Sequence, residues 1–149
     1  MEATFKSIIA FAIENEKEAL ELYERMKDLA QKQSARVMFD ELAAEEVKHR
    51  EFFEGLTGEN VPDLPLQEVT DLKISDYLVD VSFKPDMGYQ DILIMAMKRE
   101  ESAVKLYSDI AAEITDPKLK KLLEFMAQEE AKHKLRLETE YDENVLAED

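Results

Sequence analysis

The sequence predicts an all-α protein, a four-helix bundle made of two helical hairpins joined by a long crossover. Its 149 residues include only three glycines and four prolines, and 45% of them are hydrophobic. That composition favours helices over sheets. Four segments carry apolar residues at helical spacing, and the second pair of segments resembles the first. A chain of this length is expected to form a single domain over residues 1–149.

The helix bounds are predicted from where the apolar periodicity starts and stops. No glycine or proline interrupts the first helix, Ser34 is expected to cap the second, and the second ends near Gly55 or Gly58. The run Thr115–Asp116–Pro117 supplies a capping side chain and a proline suited to the first turn of the fourth helix. The predicted helices cover about residues 3–31, 34–55, 89–114 and 117–141.

Residues 56–88 form the predicted crossover. Three prolines, at positions 62, 65 and 85, interrupt any long helix there. The segments on either side resemble each other, which favours a crossover within one domain over a linker between two domains. A short amphipathic helix of one or two turns is expected to pack against the bundle through Ile74, Tyr77, Leu78 and Val81.

The composition argues against several classes of function. The formal charge is −16, with 35 acidic against 19 basic residues, which opposes binding to nucleic acids. Without cysteine, these 149 residues cannot form a disulfide, a thiolate zinc site or a rubredoxin-type iron centre. The first residues lack the pattern of a signal peptide, and the apolar stretch at residues 7–13 is too short to span a bilayer. A cytoplasmic protein without membrane contact is expected.

Both histidines of the chain stand three residues after a glutamate, in the pairs Glu46–His49 and Glu130–His133. On a helix such positions share a face, so each pair directs a carboxylate and an imidazole at the same point. One such pair is common by chance in an acidic helical chain. Two such helices, with one glutamate from each of two further helices, form the ligand set of a dinuclear metal site in a four-helix bundle.

An internal repeat supplies the two further glutamates. A shift of 84 residues places the first hairpin on the second, with Glu16 on Glu100, Tyr23 on Tyr107 and the first Glu-x-x-His pair on the second. In each hairpin the glutamate and the histidine are equidistant from the turn, so all these side chains are expected in one layer of the bundle. The predicted metal ligands are Glu16, Glu46, His49, Glu100, Glu130 and His133.

Four carboxylates in one buried layer repel each other unless they are protonated or bound to cations. Two divalent cations would cancel their charge, whereas the apolar stripes are expected to contribute no lysine or arginine. Tyr23 and Tyr107 lie two turns beyond Glu16 and Glu100 on the same face. They are expected to be core tyrosines whose hydroxyl groups can hydrogen-bond a ligand carboxylate.

With these motifs, the sequence resembles the ferritin-like di-iron carboxylate superfamily, and within it the rubrerythrin-like branch, over nearly the whole chain. The resemblance implies a ferritin-like four-helix bundle that binds two iron ions, and the same ligands accept manganese. It implies that Glu46 and Glu130 bridge the metals, that Glu16 and Glu100 are terminal ligands, and that each iron has one histidine. It also implies a homodimer.

The sequence departs from the rubrerythrin pattern in two ways. Rubrerythrins commonly carry a rubredoxin domain with four cysteines, and they commonly have a further carboxylate where this chain has Ala103. The peroxidase mechanism associated with that carboxylate is therefore not carried over. The fifth helix of cage-forming ferritins is not predicted either, which argues against iron storage.

Three functional hypotheses follow. In the first, the protein is an oxidoreductase whose di-iron site reacts with peroxide or dioxygen, with electrons from an external donor protein. In the second, it is an iron-binding ferroxidase for iron handling, and a dimanganese catalase-like enzyme would use the same ligands. The third is a metal-free helical interaction module, which requires protons or basic side chains to neutralise the buried glutamates. Normal folding and function of a Glu46→Ala, Glu130→Ala double variant would favour it.

Overall fold

Four long α-helices dominate the computed structural model, which describes residues 5–145. They are α1 (Phe5–Leu29), α2 (Gln33–Glu54), α3 (Tyr89–Glu113) and α4 (Pro117–Asn144). No strand occurs among the described residues, so the predicted all-α class is confirmed. The helix bounds lie within three residues of the predicted ones, except that the predicted start at residue 3 lies outside the described part of the chain.

The chain divides into two compact units, Met1–Asp63 and Leu64–Asp149. The first unit holds α1 and α2, which pack against each other as a hairpin. The second unit holds the last part of the crossover and the hairpin of α3 and α4. A single domain over residues 1–149 stays a prediction.

In the first unit, the start of α2 differs from the prediction. The helix begins at Gln33, and Lys32 precedes it with extended backbone angles and makes no side-chain capping bond. The amide of Arg36 donates to the carbonyl of Lys32 at 3.1 Å, which closes the first turn before Ser34 can cap it. Ser34 is therefore not the cap, because it already lies inside the first turn. At the other end, α2 stops at Gly55 as predicted.

A salt bridge and a buried apolar stripe hold the first hairpin. Near the turn, Lys27 Nζ on α1 lies 2.8 Å from Asp40 Oδ1 on α2. The buried apolar residues follow the helical spacing that the sequence shows. They include Ile8, Ala12, Ala19, Tyr23 and Met26 on α1, and Ala35, Met38, Phe39, Leu42 and Phe53 on α2.

In the second unit, the predicted cap of α4 is confirmed. Asp116 Oδ1 accepts a hydrogen bond of 2.9 Å from the amide of Lys118, and Pro117 is the first helical residue. On the other side of the turn, Lys120 Nζ donates to the carbonyl of Ala111 near the end of α3 at 3.0 Å. Both contacts satisfy backbone groups that helix ends leave without intrahelical partners.

The crossover contains the predicted short helix as one 3-10 turn, and it is held in the second unit by polar contacts. Only Ser75–Tyr77 forms a 3-10 turn, and Tyr77 is 86% exposed, so its predicted packing is wrong. Instead Ser75 is fully buried. Its amide donates to Glu138 Oε2 at 3.0 Å, and its carbonyl accepts from Lys98 Nζ at 2.6 Å. These partners on α3 and α4 satisfy buried backbone groups, which an apolar contact cannot do.

Candidate metal centre

The first unit brings its three predicted ligands together. Glu16 comes from the middle of α1, while Glu46 and His49 come from one face of α2. His49 Nδ1 lies 3.5 Å from Glu16 Oε2 and 4.0 Å from Glu46 Oε2. Each of the three residues offers one ligand atom, and these atoms lie within 4.8 Å of one another. Both glutamates are fully buried, and the histidine side chain is 15% exposed.

The second unit repeats this arrangement with Glu100 on α3 and with Glu130 and His133 on α4. His133 Nδ1 lies 3.8 Å from Glu130 Oε2. Each of the three residues again offers one ligand atom, and these atoms lie within 4.8 Å of one another. Both glutamates are fully buried, and the histidine is 3% exposed. We call the two groups the first triad (Glu16, Glu46, His49) and the second triad (Glu100, Glu130, His133).

Each hairpin therefore assembles the residues that the repeat and the distance from the turn predicted. A glutamate and a histidine that are equidistant from a helical turn do lie side by side, as the 3.5 Å contact of Glu16 with His49 shows. The role of the six residues as metal ligands stays a prediction.

The chemistry of the triads fits a metal ion. Neither carboxylate oxygen of Glu16 has a hydrogen-bond donor, although both are buried. Burying such a group without a partner is costly, and a bound cation removes that cost. Carboxylates combined with imidazole nitrogens suit iron and manganese, and also zinc, whereas thiolates are absent from the whole sequence.

One basic side chain reaches the second triad, contrary to the sequence prediction. Arg99 Nη1 on α3 lies 3.1 Å from Glu100 Oε1 and 3.4 Å from Glu130 Oε2. Position 99 is next to the apolar stripe rather than in it. The long arginine side chain nevertheless brings its guanidinium back to the carboxylates and is only 17% exposed. The only signal in the sequence is a difference between the repeats, because the equivalent position holds Asn15.

The two tyrosines that follow the α1 and α3 glutamates are both fully buried, as expected for core residues. The ring of Tyr23 stacks on Phe39 of α2 with centroids 6.1 Å apart. Aromatic packing of this kind fixes a side chain in one position. A hydrogen bond from either tyrosine to a ligand carboxylate stays a prediction.

A second polar cluster lies beyond the second triad and was not predicted from the sequence. Lys134 Nζ lies 2.7 Å from Asp71 Oδ1 of the crossover and 3.1 Å from Glu138 Oε1 of α4. Burial alone lowers the pKa of Lys134, but hydrogen bonds to both carboxylates outweigh it and raise that pKa. The hydrogen bond from Lys134 likewise lowers the pKa of Asp71, although partial burial opposes it. We call Asp71, Ser75, Lys134 and Glu138 the crossover cluster.

The crossover cluster borders a cavity of about 340 Å³ in the second unit. The cavity is lined by crossover residues such as Thr70 and Asp76, and by Glu101, Val104 and Ala131 of the two helices. The hydroxyl of Ser75 donates to Glu101, which is the neighbour of a triad residue. The crossover therefore contacts the same two helices that carry the second triad.

A family model described as rubrerythrin matches residues 5–84 and 91–149. The chain belongs to the rubrerythrin family. No curated protein and no solved structure matches it significantly. Membership confirms the predicted ferritin-like fold class. With the Glu and His groups, it also supports a di-iron carboxylate protein with a metal site. Within residues 5–145, no helix is long and apolar enough to cross a membrane.

Proposed function

We propose that this member of the rubrerythrin family is a non-haem di-iron oxidoreductase that reacts with peroxide or dioxygen. The observation that carries the proposal is the repeated triad, with two fully buried carboxylates and a histidine in each hairpin. Buried carboxylates at this density are unfavourable in a protein that serves only as a scaffold. They are expected where a protein binds cations.

The proposed ligand set is the one predicted from the sequence. Glu16, Glu46 and His49 would hold one iron ion, and Glu100, Glu130 and His133 the other. Bound iron would supply two electrons for reduction of the oxidant by cycling between the ferrous and ferric states.

The protein side chains have definable roles in this proposal. The carboxylates neutralise the metal charge, and each has two oxygens, so it can change how it binds as that charge changes. The histidines add neutral nitrogen ligands. Apolar neighbours such as Ala19 and Ala103, both buried, keep water away from the carboxylates and strengthen their attraction for cations. Ala103 also provides no extra carboxylate on α3.

Electrons are proposed to come from outside these 149 residues. The sequence contains no cysteine, so it cannot hold a thiolate-bound iron centre that would pass electrons to the triads. The proposed donor is a redox protein or domain outside these residues.

Anaerobic loading with Fe²⁺ followed by one equivalent of hydrogen peroxide, or by air, tests the proposal. We expect the near-ultraviolet absorption of ferric iron to appear much faster than with the same Fe²⁺ in buffer. The ferric form should then be reducible and reoxidisable over several cycles with two irons retained per chain. The Glu46→Ala, Glu130→Ala double variant is the control and should behave like buffer.

Oxidation no faster than that of free Fe²⁺ would contradict the proposal. Rapid oxidation followed by release of ferric iron, or by uptake beyond two irons per chain, would instead support an iron-handling ferroxidase. Activity that requires manganese would point to a catalase-like enzyme with the same ligands.

A further inference from the structure

The guanidinium of Arg99 contacts both carboxylates of the second triad. A single nitrogen, Nη1, is 3.1 Å from Glu100 Oε1 and 3.4 Å from Glu130 Oε2. Both carboxylates are fully buried, and the arginine side chain is 17% exposed. A charge-assisted contact in such an environment is stronger than one at the surface.

The Glu130 oxygen that Arg99 contacts also lies near the histidine of the triad. Glu130 Oε2 lies 3.8 Å from His133 Nδ1 as well as 3.4 Å from Arg99 Nη1. This oxygen is placed to be a ligand of a metal held jointly by Glu130 and His133, because it lies 3.8 Å from the imidazole nitrogen. The guanidinium and the metal therefore compete for the same carboxylate oxygen.

The internal repeat supplies a comparison within the same chain. Arg99 directly precedes Glu100, and the equivalent residue before Glu16 is Asn15. Asparagine is uncharged, so position 15 cannot place a positive charge on the first triad. The ligands are thus repeated, but the arginine that precedes Glu100 is not.

We propose that Arg99 is a positioning residue that binds the second triad in the metal-free protein and must withdraw when a metal enters. The first triad is then the tighter metal site and fills first, and the second fills only against the cost of displacing the guanidinium. This inference rests on the metal site of the proposed function, but it does not depend on the reaction that the site catalyses.

The charge balance supports the proposal that Arg99 takes the place of the cation in the metal-free protein. Without metal, Glu100 and Glu130 place two negative charges in a buried environment, and Arg99 supplies one positive charge at contact distance. A dication would supply two. Arg99 therefore offsets part of the negative charge of the metal-free hairpin, and a dication supplies more positive charge than the guanidinium does.

Anaerobic titration with Co²⁺, followed by calorimetry and by the visible absorption of the bound ion, tests this inference without turnover. For the unmodified protein we expect two unequal dissociation constants. In Arg99→Asn, which copies the residue of the first repeat, the weaker constant should tighten about tenfold or more, since a charge-assisted hydrogen bond contributes on that scale. Asn15→Arg should weaken the tighter site instead.

Melting temperatures distinguish an arginine that a metal displaces from an arginine that stabilises the fold whether or not metal is bound. Arg99→Asn should lower the melting temperature of the metal-free protein but not that of the Co²⁺-loaded protein. A residue with only a structural role would lower both. The matched control is Lys105→Gln, which removes one positive charge from the same helix at an exposed pair with Asp109 and should leave both Co²⁺ constants unchanged.

The outcomes distinguish this inference from the proposed function. Equal constants that do not respond to Arg99→Asn would overturn the inference and leave the metal site intact. One Co²⁺ in the unmodified protein and two in Arg99→Asn would support it in its strongest form. If neither protein binds Co²⁺, the metal site and this inference both fail. If Co²⁺ binding follows the prediction but loaded Fe²⁺ is not oxidised faster than free Fe²⁺, only the oxidoreductase proposal fails.

Discussion

Buried glutamates are the residues that most constrain this protein, and they fall into two kinds. Glu138 is fully buried and accepts hydrogen bonds from the amide of Ser75 and from Lys134. The glutamates of the triads are equally buried, yet the oxygens of Glu16 have no donor at all. A glutamate of the first kind stabilises the fold by itself, whereas one of the second kind is stable only with a cation or a proton.

Asp71 should make the stability of the protein depend on pH in the acid range. Its pKa is lowered from 3.8 by the hydrogen bond from Lys134. A lowered pKa means that the stabilisation is complete above about pH 4 and is lost as the pH falls through the still lower folded value. We expect the difference in unfolding free energy between the unmodified protein and Asp71→Asn to be present at pH 7 and to shrink below pH 4.

Guanidinium denaturation of both proteins at a series of pH values measures this difference. The metal-free forms should be compared, so that proton competition at the triads is the same in both. A difference that stays constant from pH 7 to pH 3 would show that the ion pair with Lys134 does not contribute.

The two helical hairpins come from one repeated sequence but differ in what attaches to them. In the first hairpin, Arg50 and Glu54 on α2 form an exposed ion pair one turn apart. The equivalent pair on α4, Lys134 and Glu138, is buried because the crossover lies over it. The same spacing of a basic and an acidic residue thus gives an ion pair at the surface in the first hairpin. In the second hairpin it gives a buried ion pair that helps to hold the crossover.

Replacing Glu138 should therefore cost far more than replacing its repeat equivalent. Glu138→Ala removes one of the two carboxylates that the buried Lys134 contacts, and it leaves the amide of Ser75 without its acceptor. The expected loss is about 2–4 kcal/mol of unfolding free energy, the usual cost of removing one partner from a buried charge pair. Glu54→Ala breaks an exposed pair and should cost about 0.5 kcal/mol or less. Denaturant unfolding of the two variants measures both values.

Similar losses in both variants would contradict the role assigned to the crossover cluster. Hydrogen exchange at the amide of Ser75 gives an independent check, since its bond to Glu138 predicts slow exchange in the unmodified protein. Exchange there should become fast in Glu138→Ala and stay slow in Glu54→Ala.

At the level of the whole protein, the two compact units pose the question of cooperativity. The first unit is a hairpin of only two helices within 63 residues, a size at which a chain buries little surface on its own. We predict one domain, so unfolding of the metal-free protein in guanidinium should be a single transition. Far-ultraviolet circular dichroism and tyrosine emission, which any of the five tyrosines can report, should give coincident curves.

Two separated transitions, or curves that differ between the two probes, would contradict a single domain. Addition of Co²⁺ should raise the midpoint of the whole transition, because an ion that binds only the folded state stabilises it by mass action. Metal that stabilised only part of the transition would argue for two independent units.

The sequence by itself determined the helices, their order and the two triads. Helical periodicity marks each apolar stripe, and a glutamate and a histidine that are equidistant from a turn meet when the hairpin closes. Helical periodicity and distance from the turn both depend on nearby parts of the chain, so they do not depend on how the side chains pack. This is why Glu16 and His49 could be paired from their numbers alone.

Only the tertiary structure decided where the charges of the second unit find partners. Arg99 lies outside the apolar stripe, and its reach to Glu100 and Glu130 depends on the flexible path of a long side chain. The burial of Lys134 and Glu138 depends on the crossover, 63 residues away from these positions in sequence. Such contacts cannot be predicted from the spacing of residues along the chain. The sequence therefore predicts the residues that would hold the metals, while the structure shows the arginine with which a metal would compete.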